Sequence, residues 1–324
     1  MDIQFKRPEL SDRETINEYL RKQSSRSCEY TFANIFLWSR HYPMEWGVLE
    51  NMVIFKTIGG EETMFAFPMG DSSHLKACVD ALTRWCQERE LPLKFHSVTE
   101  EQFRLLEETF PGRFQVEYFR DEADYVYEQE KLAALSGKKY HGKKNHVNKF
   151  ARLYPDWTYE SISEENVEEC FQMALKWRNA NGCDDDEEKN QEMCVTLNYL
   201  RLFKELEMRG GLIRTGGRVV AFSIGEPVGD TMMVHIEKAY ADIEGAYTMI
   251  NQQFVLHEAE GCRYVNREDD TGDEGLRRAK ESYHPVFMVQ KGIVSERNAQ
   301  TDRTSGDAAQ TGGEAGKHAQ TDEE

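Results

Sequence analysis

Apolar positions in the first 130 residues repeat partly with the period of strands and partly with that of helices. Apolar residues at 75, 78, 79, 82 and 85 are spaced as on one face of a helix, and the pair at 59–60, Gly-Gly, marks a turn. The pattern predicts helices at 12–22, 75–88 and 100–109, a helical or irregular aromatic segment at 28–38, and strands at 46–50, 52–57, 63–67, 93–98, 114–119 and 123–127.

The next stretch of the chain repeats this alternation and adds three strands joined by short turns. The pattern predicts a helix at 142–153, a strand at 157–161, helices at 164–179 and within 188–209, strands at 211–215, 218–226 and 231–236, a helix at 246–261, a strand at 264–266, a helix at 275–282 and a strand at 285–293. The turns at 215–217 and 227–230 indicate an antiparallel meander. This order is typical of the acetyltransferase-like fold.

The length of the chain favours two such units. A chain of 324 residues exceeds what one hydrophobic core usually organises. We therefore predict an α/β protein of two tandem acetyltransferase-like lobes, each a mixed sheet flanked by helices, at residues 1–130 and 131–296. The first lobe is a degenerate copy of the second, and the basic stretch at 136–152 is expected near the junction. Residues 297–324 contain alanine as their only apolar residue, which predicts a disordered tail.

Composition excludes several classes of protein. No apolar run approaches the roughly 20 residues that span a bilayer, and the polar N-terminus has no signal core, so we expect a cytoplasmic protein. The seven cysteines are scattered without CxxC spacing, which indicates reduced thiols and no zinc site. The acidic run at 184–188 is interpreted as a solvated loop, and no metal site is predicted.

One segment of the chain is basic, although the chain as a whole carries a net charge of −18. Residues 136–152 contain six lysines and arginines and no acid. An acidic chain is not drawn to nucleic acid by its average field, so such binding needs a local patch of this kind. The segment is either that patch or an exposed linker between the lobes. The candidate nucleic-acid-binding residues are Lys138, Lys139, Lys143, Lys144, Asn145 and Lys149.

Polar residues gather at the ends of two predicted strands. His235 and Glu237 end one strand, and strand alternation predicts that they share a face. A polar cluster at 266–270 ends another, and Gly272 and Gly275 permit a tight loop into a helix. Ligands of α/β folds bind at such strand ends, so we predict one connected site. The alternative is a solvated acidic loop that caps the helix.

The turn at 242–247 would face the pyrophosphate of an acyl-coenzyme A in this fold, because helix N-termini bind phosphate. It contains one glycine, Gly245, where a coenzyme A cradle would have more. The turn therefore disfavours acyl-coenzyme A as a donor without excluding it.

Six short motifs give the chain a family resemblance. They are H-I-E-K-A at 235–239, E-G-A-Y at 244–247, N-R-E-D-D-x-G-D-E-G-L-R at 266–277, S-Y-H-P at 282–285, S-G-K-K-x-H-x-K-K-N at 136–145 and C-E-Y-T-F-A-N-I-F-L-W at 28–38. Together they resemble the family related to the C-terminal domain of phosphatidylglycerol lysyltransferase. The resemblance implies two tandem lobes, as in Fem-type aminoacyltransferases, which move an amino acid from aminoacyl-tRNA onto an amine or hydroxyl. We expect no membrane-spanning N-terminal region of the kind found in the lipid-modifying members, which makes phosphatidylglycerol a less expected acceptor.

The function predicted from these residues is acyl or aminoacyl transfer. Glu268, Asp269 or Glu237 would take the proton of the attacking amine, and His235 is a second candidate base. The expected donor is aminoacyl-tRNA rather than a coenzyme A thioester, with no bound cofactor, and the acceptor is a small molecule, a peptide or a lipid headgroup. The candidate substrate-binding residues are Lys238, Gly245, Tyr247, Asn251, Asn266, Arg267, Gly272, Gly275, Arg277, Lys280 and Tyr283. The alternatives are a non-catalytic binding module on the same fold and an acyl-coenzyme A-dependent N-acyltransferase.

Overall fold

A computed structural model describes residues 3–23, 25–59 and 62–297 of the chain. The predicted tail from 298 onward lies outside the described residues. Arg297, predicted as the first residue of that tail, belongs to the fold: its backbone N–H donates to the carbonyl of Arg113, and its Nε donates to the carbonyl of Phe114 at 2.8 Å.

The first part of the chain forms the predicted mixture of helices and strands. Its helices are α1 (Arg13–Leu20), α2 (Phe32–Trp38), α3 (Leu75–Gln87) and α4 (Glu100–Thr109), and its strands are β1 (Met44–Leu49), β2 (Met52–Gly59), β3 (Glu62–Ala66), β4 (Met69–Gly70), β5 (Lys94–Thr99) and β6 (Phe114–Tyr118). The short strand β4 was not predicted.

The remaining elements follow the predicted order with two differences. They are β7 (Asp124–Glu128), α5 (Gln129–Ala134), α6 (His141–Leu153), β8 (Thr158–Ser161), α7 (Val167–Ala180), α8 (Glu187–Arg201), β9 (Arg209–Thr215), β10 (Arg218–Val228), β11 (Thr231–Ala239), α9 (Ala246–Glu258), β12 (Tyr264–Asn266), α10 (Glu274–Glu281), β13 (Phe287–Val289) and β14 (Lys291–Glu296). Helix α5 was not predicted. The single strand predicted at 285–293 is wrong, because the chain breaks there into β13 and β14.

The described strands form two mixed sheets of seven strands. The first has the order β1-β2-β3-β5-β14-β6, with β4 beside β2, and the second has the order β13-β7-β12-β11-β10-β9-β8. Strands β9, β10 and β11 form the predicted antiparallel meander. Each sheet also contains one parallel pair, β3 with β5 and β11 with β12. The predicted fold class, two mixed sheets flanked by helices, is confirmed.

The two sheets exchange strands near the predicted lobe boundary. Strand β7, which precedes residue 130, pairs with β12 and β13 in the second sheet. Strand β14 lies between β5 and β6 in the first sheet. The division at residue 130 therefore does not separate the two sheets.

Two hydrophobic cores lie on the two faces of the second sheet. One core joins the first sheet to α7 and α8, and the other packs α5, α6 and α9 against the opposite face. Helix α6, which carries most of the basic segment, therefore lies on the outer face of the second sheet rather than at the predicted junction of the lobes.

Two further properties concern the described part of the chain. No described helix combines the length and apolarity needed to cross a bilayer. All seven cysteines are unpaired, and five of them are buried.

Candidate functional site

The second sheet opens where β11 and β12 separate. The two strands pair in parallel only from Thr231 opposite Tyr264 to Met233 opposite Asn266. Strand β11 continues to Ala239, whereas the chain after β12 turns away through Glu268, whose φ of 57° is left-handed. Side chains of β11 and of the segment after β12 therefore meet at this opening, the strand-end position predicted for the site.

A β-bulge at His235 changes which face each of its neighbours occupies. On β10, Ile224 pairs with Ile236 and Gly225 with Val234, so His235 is the extra residue of β11. As a result His235 stacks on Tyr199 of α8, whereas Glu237 accepts a hydrogen bond from Asn251 of α9. The prediction that His235 and Glu237 share a face was wrong, because strict alternation holds only where pairing is uninterrupted.

On the α8 face, His235 is a buried cation between two carboxylates. Its side chain is 1% exposed, with Nδ1 2.9 Å from Glu268 Oε1 and Nε2 3.1 Å from Glu226 Oε1. Burial opposes protonation, but the hydrogen bonds and charges of the two glutamates outweigh it and raise the pKa of His235 to about 9. With both nitrogens engaged and the ring charged at neutral pH, His235 is not arranged to accept a proton.

Glu268 is part of a chain of hydrogen bonds between the lobes. Its Oε1 also accepts from Asn34 Nδ2 at 3.0 Å, and Asn34 Oδ1 accepts from the Tyr199 hydroxyl at 2.7 Å. Sequence reasoning missed Asn34, Tyr199 and Glu226, since Asn34 and Tyr199 lie in predicted helical segments and Glu226 ends a different predicted strand from those that carry His235 and the polar cluster. The one available signal was the motif at 28–38, which contains Asn34.

On the α9 face, Glu237 accepts hydrogen bonds from two side chains, and each of these side chains also has a polar atom without a hydrogen-bond partner. Arg267 Nη2 donates to Glu237 Oε1 at 2.9 Å, and Asn251 Nδ2 donates to Oε2 at 3.0 Å. Asn251 is 1% exposed and the Arg267 side chain 12%. Arg267 Nη1 and Asn251 Oδ1 are buried without a hydrogen-bond partner among the described residues. Such atoms are rare in native proteins and usually meet a ligand or water.

Lys143 of α6 joins this group from the outer side. Its Nζ lies 3.9 Å from the centre of the Tyr283 ring, and Arg267 lies 4.9 Å from the same ring centre. Burial and the positive charge of Arg267 lower the pKa of Lys143 to about 8, against the opposing charge of Glu237. We call Glu237, Arg267, Asn251, Tyr283 and Lys143 the Glu237 cluster.

The predicted nucleic-acid-binding residues therefore occupy three different environments. Lys143 turns inward to the Glu237 cluster, and Lys149 forms an ion pair with Glu244. The others remain exposed on the surface: Lys138, Lys139, Lys144 and Asn145.

Asp270 anchors the loop after β12 to the start of β7. Its buried carboxylate accepts from the Tyr125 hydroxyl at 2.5 Å and from Arg277 Nη2 at 2.8 Å. The hydrogen bonds from Arg277 and Tyr125, which outweigh burial, hold the pKa of Asp270 below its usual range. Arg277, a candidate substrate-binding residue, also pairs with Asp121, so both of these ion pairs hold the loop.

Asp269 points instead to Lys291 of β14. The buried Lys291 Nζ lies 2.9 Å from Asp124, 3.0 Å from Asp269 and 3.1 Å from Glu29. Burial opposes the charge of Lys291, but these carboxylates raise its pKa well above the usual value. Burial raises the pKa of Asp269 to about 6 despite Lys291.

Ligand atoms of Cys28, Asp124 and Asp269 lie within 4.8 Å of one another, a spacing that suits a metal ion. The Lys291 ammonium already contacts the carboxylates of this group. The cluster is therefore arranged around an ammonium, and its acids hold β14 to β7 and the loop after β12.

Asn266 and Lys280 brace the same loop. Asn266 Nδ2 donates to Asp124 at 2.9 Å, and Asn266 Oδ1 accepts from the backbone N–H of Glu268 at 2.6 Å. Lys280 Nζ donates to the backbone carbonyls of Arg267 and Asp269. Residues 266–270 thus send their side chains to several separate contacts, and only Arg267 reaches the Glu237 cluster.

The turn before α9 is covered by α6. Gly245 has a φ of +82°, and a Cβ there would lie 2.8 Å from the carbonyl oxygen of His146 and 3.1 Å from Phe150 Cβ. A backbone carbonyl of α6 therefore faces the turn at which a pyrophosphate would have to bind.

The remaining candidate residues lie around these groups. Lys238 is buried on the α7 and α8 face, 2.6 Å from Glu192 and 4.1 Å from the Trp177 ring centre. Tyr247 is 39% exposed beside the turn. Gly272 has a left-handed φ of +81° next to Asp121, whereas Gly275 lies within α10.

Comparison with known proteins gives a family match over most of the chain. A family model described as phosphatidylglycerol lysyltransferase, C-terminal, matches residues 21–292. An uncharacterized protein of Mycoplasmoides gallisepticum is 24% identical over 190 residues, which are 56% of this chain and 59% of that protein. The match therefore spans less than two thirds of that relative's length.

Solved structures with the same fold cover nearly the whole chain. A conserved protein of unknown function from Bacteroides thetaiotaomicron is 35% identical over 91% of this chain and 100% of its own, with a TM-score of 0.85. The C-terminal domain of a putative lysylphosphatidylglycerol synthetase from Agrobacterium fabrum is 15% identical over 89% and 93%, with a TM-score of 0.65. FemX is 7% identical over 90% of this chain and 96% of its own, with a TM-score of 0.59. At these low identities the last two show a shared fold alone.

Proposed function

Because the chain belongs to the phosphatidylglycerol lysyltransferase C-terminal family, as its motifs indicated, we propose that it transfers an amino acid from aminoacyl-tRNA to an amine or hydroxyl acceptor at the Glu237 cluster. A shared fold does not fix a reaction, so the proposal depends on the chemistry of these side chains.

The observation that carries the proposal is the pair of unsatisfied atoms on either side of Glu237. Arg267 Nη1 is a donor and Asn251 Oδ1 is an acceptor, and both are buried. An aminoacyl ester presents the complementary groups, a carbonyl oxygen and an α-ammonium, a few bonds apart. A ligand of this kind would satisfy both atoms, which otherwise carry a desolvation cost of about 1–3 kcal/mol each.

These side chains have distinct roles in the proposed reaction. The acceptor nitrogen attacks the ester carbonyl, a C–N bond forms, and the C–O bond to the ribose breaks. Arg267 Nη1 stabilises the oxyanion of the tetrahedral intermediate, as a charged donor in a water-poor site does. The carboxylate of Glu237 has free lone pairs on both oxygens and takes the proton of the attacking amine. That proton ends on the ribose hydroxyl.

The packing of α6 supports aminoacyl-tRNA over acyl-coenzyme A as the donor. The His146 carbonyl oxygen lies against Gly245, and an oxygen in that place repels a pyrophosphate. The exposed lysines of the basic segment, Lys138, Lys139 and Lys144, offer phosphate contacts on the surface next to the cluster.

The proposal is tested by following the acyl group from each donor. The protein is incubated with a small-molecule cell extract and either bulk tRNA charged with radiolabelled amino acids or labelled acetyl-coenzyme A. We expect label to leave the RNA for a soluble product, and no labelled product from acetyl-coenzyme A. Transfer from acetyl-coenzyme A without transfer from RNA would overturn the proposal.

Two variants connect that activity to the cluster. Arg267→Lys keeps the charge but removes Nη1, and Asn251→Leu removes the unsatisfied acceptor in a similar volume. We expect each to lower the transfer rate at least about 10-fold, because Arg267→Lys removes an oxyanion donor, a loss that typically costs about 10²–10³, and Asn251→Leu removes the group that positions the α-ammonium. Thermal melts show whether each variant is folded, and unchanged transfer by both folded variants would contradict the assignment.

A further inference from the structure

The Glu237 cluster contains more positive than negative charge. Arg267 and Lys143 face one carboxylate, Glu237, and Arg267 already hydrogen-bonds to it. Lys280 lies close enough to Arg267 to be affected by its charge, but it is engaged by two backbone carbonyls and the carboxylates of Glu268, Asp269 and Asp124 favour its charge. The neighbouring rings of Tyr127 and Tyr283 are neutral at pH 7.

Lys143 differs from the other shielded cations of the chain. Lys291 contacts three carboxylates, Lys238 pairs with Glu192, and Arg277 pairs with Asp270 and Asp121. Lys143 is half-buried and has no hydrogen-bond or ion-pair partner in the described ranges, where its contact is the face of Tyr283. A half-buried cation in this position would be stabilised by an anionic group of a ligand.

The surroundings of Lys143 determine where that anion would be. Lys143 Nζ and Arg267 Cζ lie 3.9 and 4.9 Å from the same ring centre of Tyr283, and Arg267 is close enough for its charge to act on Lys143. Asn251, 1% exposed with its Oδ1 unpartnered, lies on the other side of Glu237. A ligand that meets all three needs an amine for Asn251, a carbonyl for Arg267 and an anionic group for Lys143.

We propose that the transferred amino acid is acidic, an aspartyl or glutamyl group whose side-chain carboxylate pairs with Lys143. The inference rests on the proposed function and specifies its substrate. A lysyl side chain would place its ammonium beside the uncompensated ammonium of Lys143, and repulsion between the two like charges disfavours such a substrate. A phosphate of the RNA end is the other source of an anion, and the test separates the two.

The test measures binding of small ligands that carry no phosphate. The probes are the α-amides of aspartate, glutamate, lysine and alanine, with AMP as the phosphate probe, each titrated calorimetrically into the full chain. We expect the two acidic amides to bind at least about 10-fold tighter than lysinamide. Lys143→Ala should remove that preference, and Lys143→Glu should reverse it in favour of lysinamide.

Lys176→Ala is the matched control. Lys176 is an exposed residue of α7, so its loss changes the net charge equally but leaves the cluster intact. The proposal is supported if this control still binds the acidic amides more tightly than lysinamide and Lys143→Ala does not. Equal or tighter binding of lysinamide by the wild type overturns it, and so does Lys143-dependent binding of AMP without binding of the acidic amides.

A transfer assay distinguishes failure of this proposal from failure of the proposed function. Aspartyl-, glutamyl- and lysyl-tRNA are offered separately with the same acceptor extract. Equal use of lysyl-tRNA overturns the acidic specificity and leaves aminoacyl transfer standing. If none of the charged RNAs is used, aminoacyl transfer fails, and the amide titrations by themselves support or overturn the acidic ligand.

Discussion

At the scale of single residues, the β-bulge at His235 decides the chemistry of the opening between β11 and β12. It sends His235 toward Glu226 and Glu268 and leaves Glu237 with Arg267 and Asn251. The first group pairs one cation with two carboxylates and braces the fold, and the second retains unsatisfied atoms. Although a single residue separates them along β11, His235 thereby has a structural role and Glu237 a ligand-facing one.

The charge of His235 should appear in the pH dependence of stability. Its pKa is raised from 6.5 to about 9 in the folded state, so its contribution is fully present below pH 6.5 and is lost as the pH rises through 9. We expect wild type to lose roughly 2–3 kcal/mol over this range relative to His235→Gln, following about 1.4 kcal/mol per pKa unit. Urea unfolding at several pH values measures the difference.

His141→Gln is the control for that experiment, because His141 is exposed at the start of α6. Its unfolding free energy should follow that of wild type at every pH. Parallel stability curves for wild type and His235→Gln would show that His235 is not charged in the fold.

The opposite orientation of His235 and Glu237 could not be predicted from the sequence. Their separation of two residues predicts one face, and the bulge that breaks the rule depends on the register of β10 against β11. The burial of Asp270 and Lys291 was equally hidden, since both residue types are normally exposed and each has a partner far away along the chain, Tyr125 for Asp270 and Asp124 for Lys291. Arg267, Glu237 and Asn251 were identified individually because they follow predicted strands or lie in the first two turns of a predicted helix.

At the scale of elements, α6 determines what the turn before α9 can bind. Its backbone packs directly on Gly245, and the Lys149–Glu244 ion pair holds the same contact. Local periodicity predicted α6, α9 and α10 to within about a turn, and α4 and β12 with identical bounds. It could not predict that α6 would cover the turn, because that contact depends on tertiary packing.

Gly245→Ala should test this packing. The added Cβ would meet the His146 carbonyl at 2.8 Å and would also strain a backbone with a φ of +82°. We expect a loss of about 2–4 kcal/mol in the free energy of unfolding, more than backbone strain of about 1 kcal/mol alone gives.

Gly229→Ala isolates the backbone contribution in that experiment. Gly229 has a φ of +57°, and a Cβ there meets nothing within 4 Å. Its loss of stability in urea unfolding should be about 1 kcal/mol. Equal losses in the two variants would mean that α6 does not press on the turn.

At the scale of the whole molecule, the two sheets hold each other together through exchanged strands. Strand β7 lies inside the second sheet and β14 inside the first, and Lys291 of β14 contacts Asp124 of β7 at 2.9 Å. The α/β class and the tandem arrangement could be predicted from element order. The exchange could not, because periodicity identifies a strand without identifying its neighbours.

Residues 1–130 should therefore fail to fold as an isolated fragment. Without β14, strand β6 has no partner in the first sheet, and β7 has none at all. We expect circular dichroism and amide exchange to show a largely unprotected, aggregation-prone chain. Adding a synthetic peptide of residues 286–297 should improve its solubility, and a cooperative melt of the fragment alone would contradict the expectation.

The position of β14 also sets the order of events during synthesis. The strand that closes the first sheet emerges from the ribosome only after every residue from 1 to 290 has been made, so β5 and β6 present unpaired edges to the cytosol or to chaperones until then. At about 5–20 residues per second, the 173 residues from 124 to 296 take on the order of ten seconds or more to appear. The nascent first lobe must be kept from pairing with other strands for that interval, and β14, the last of the described strands to be translated, completes the first sheet.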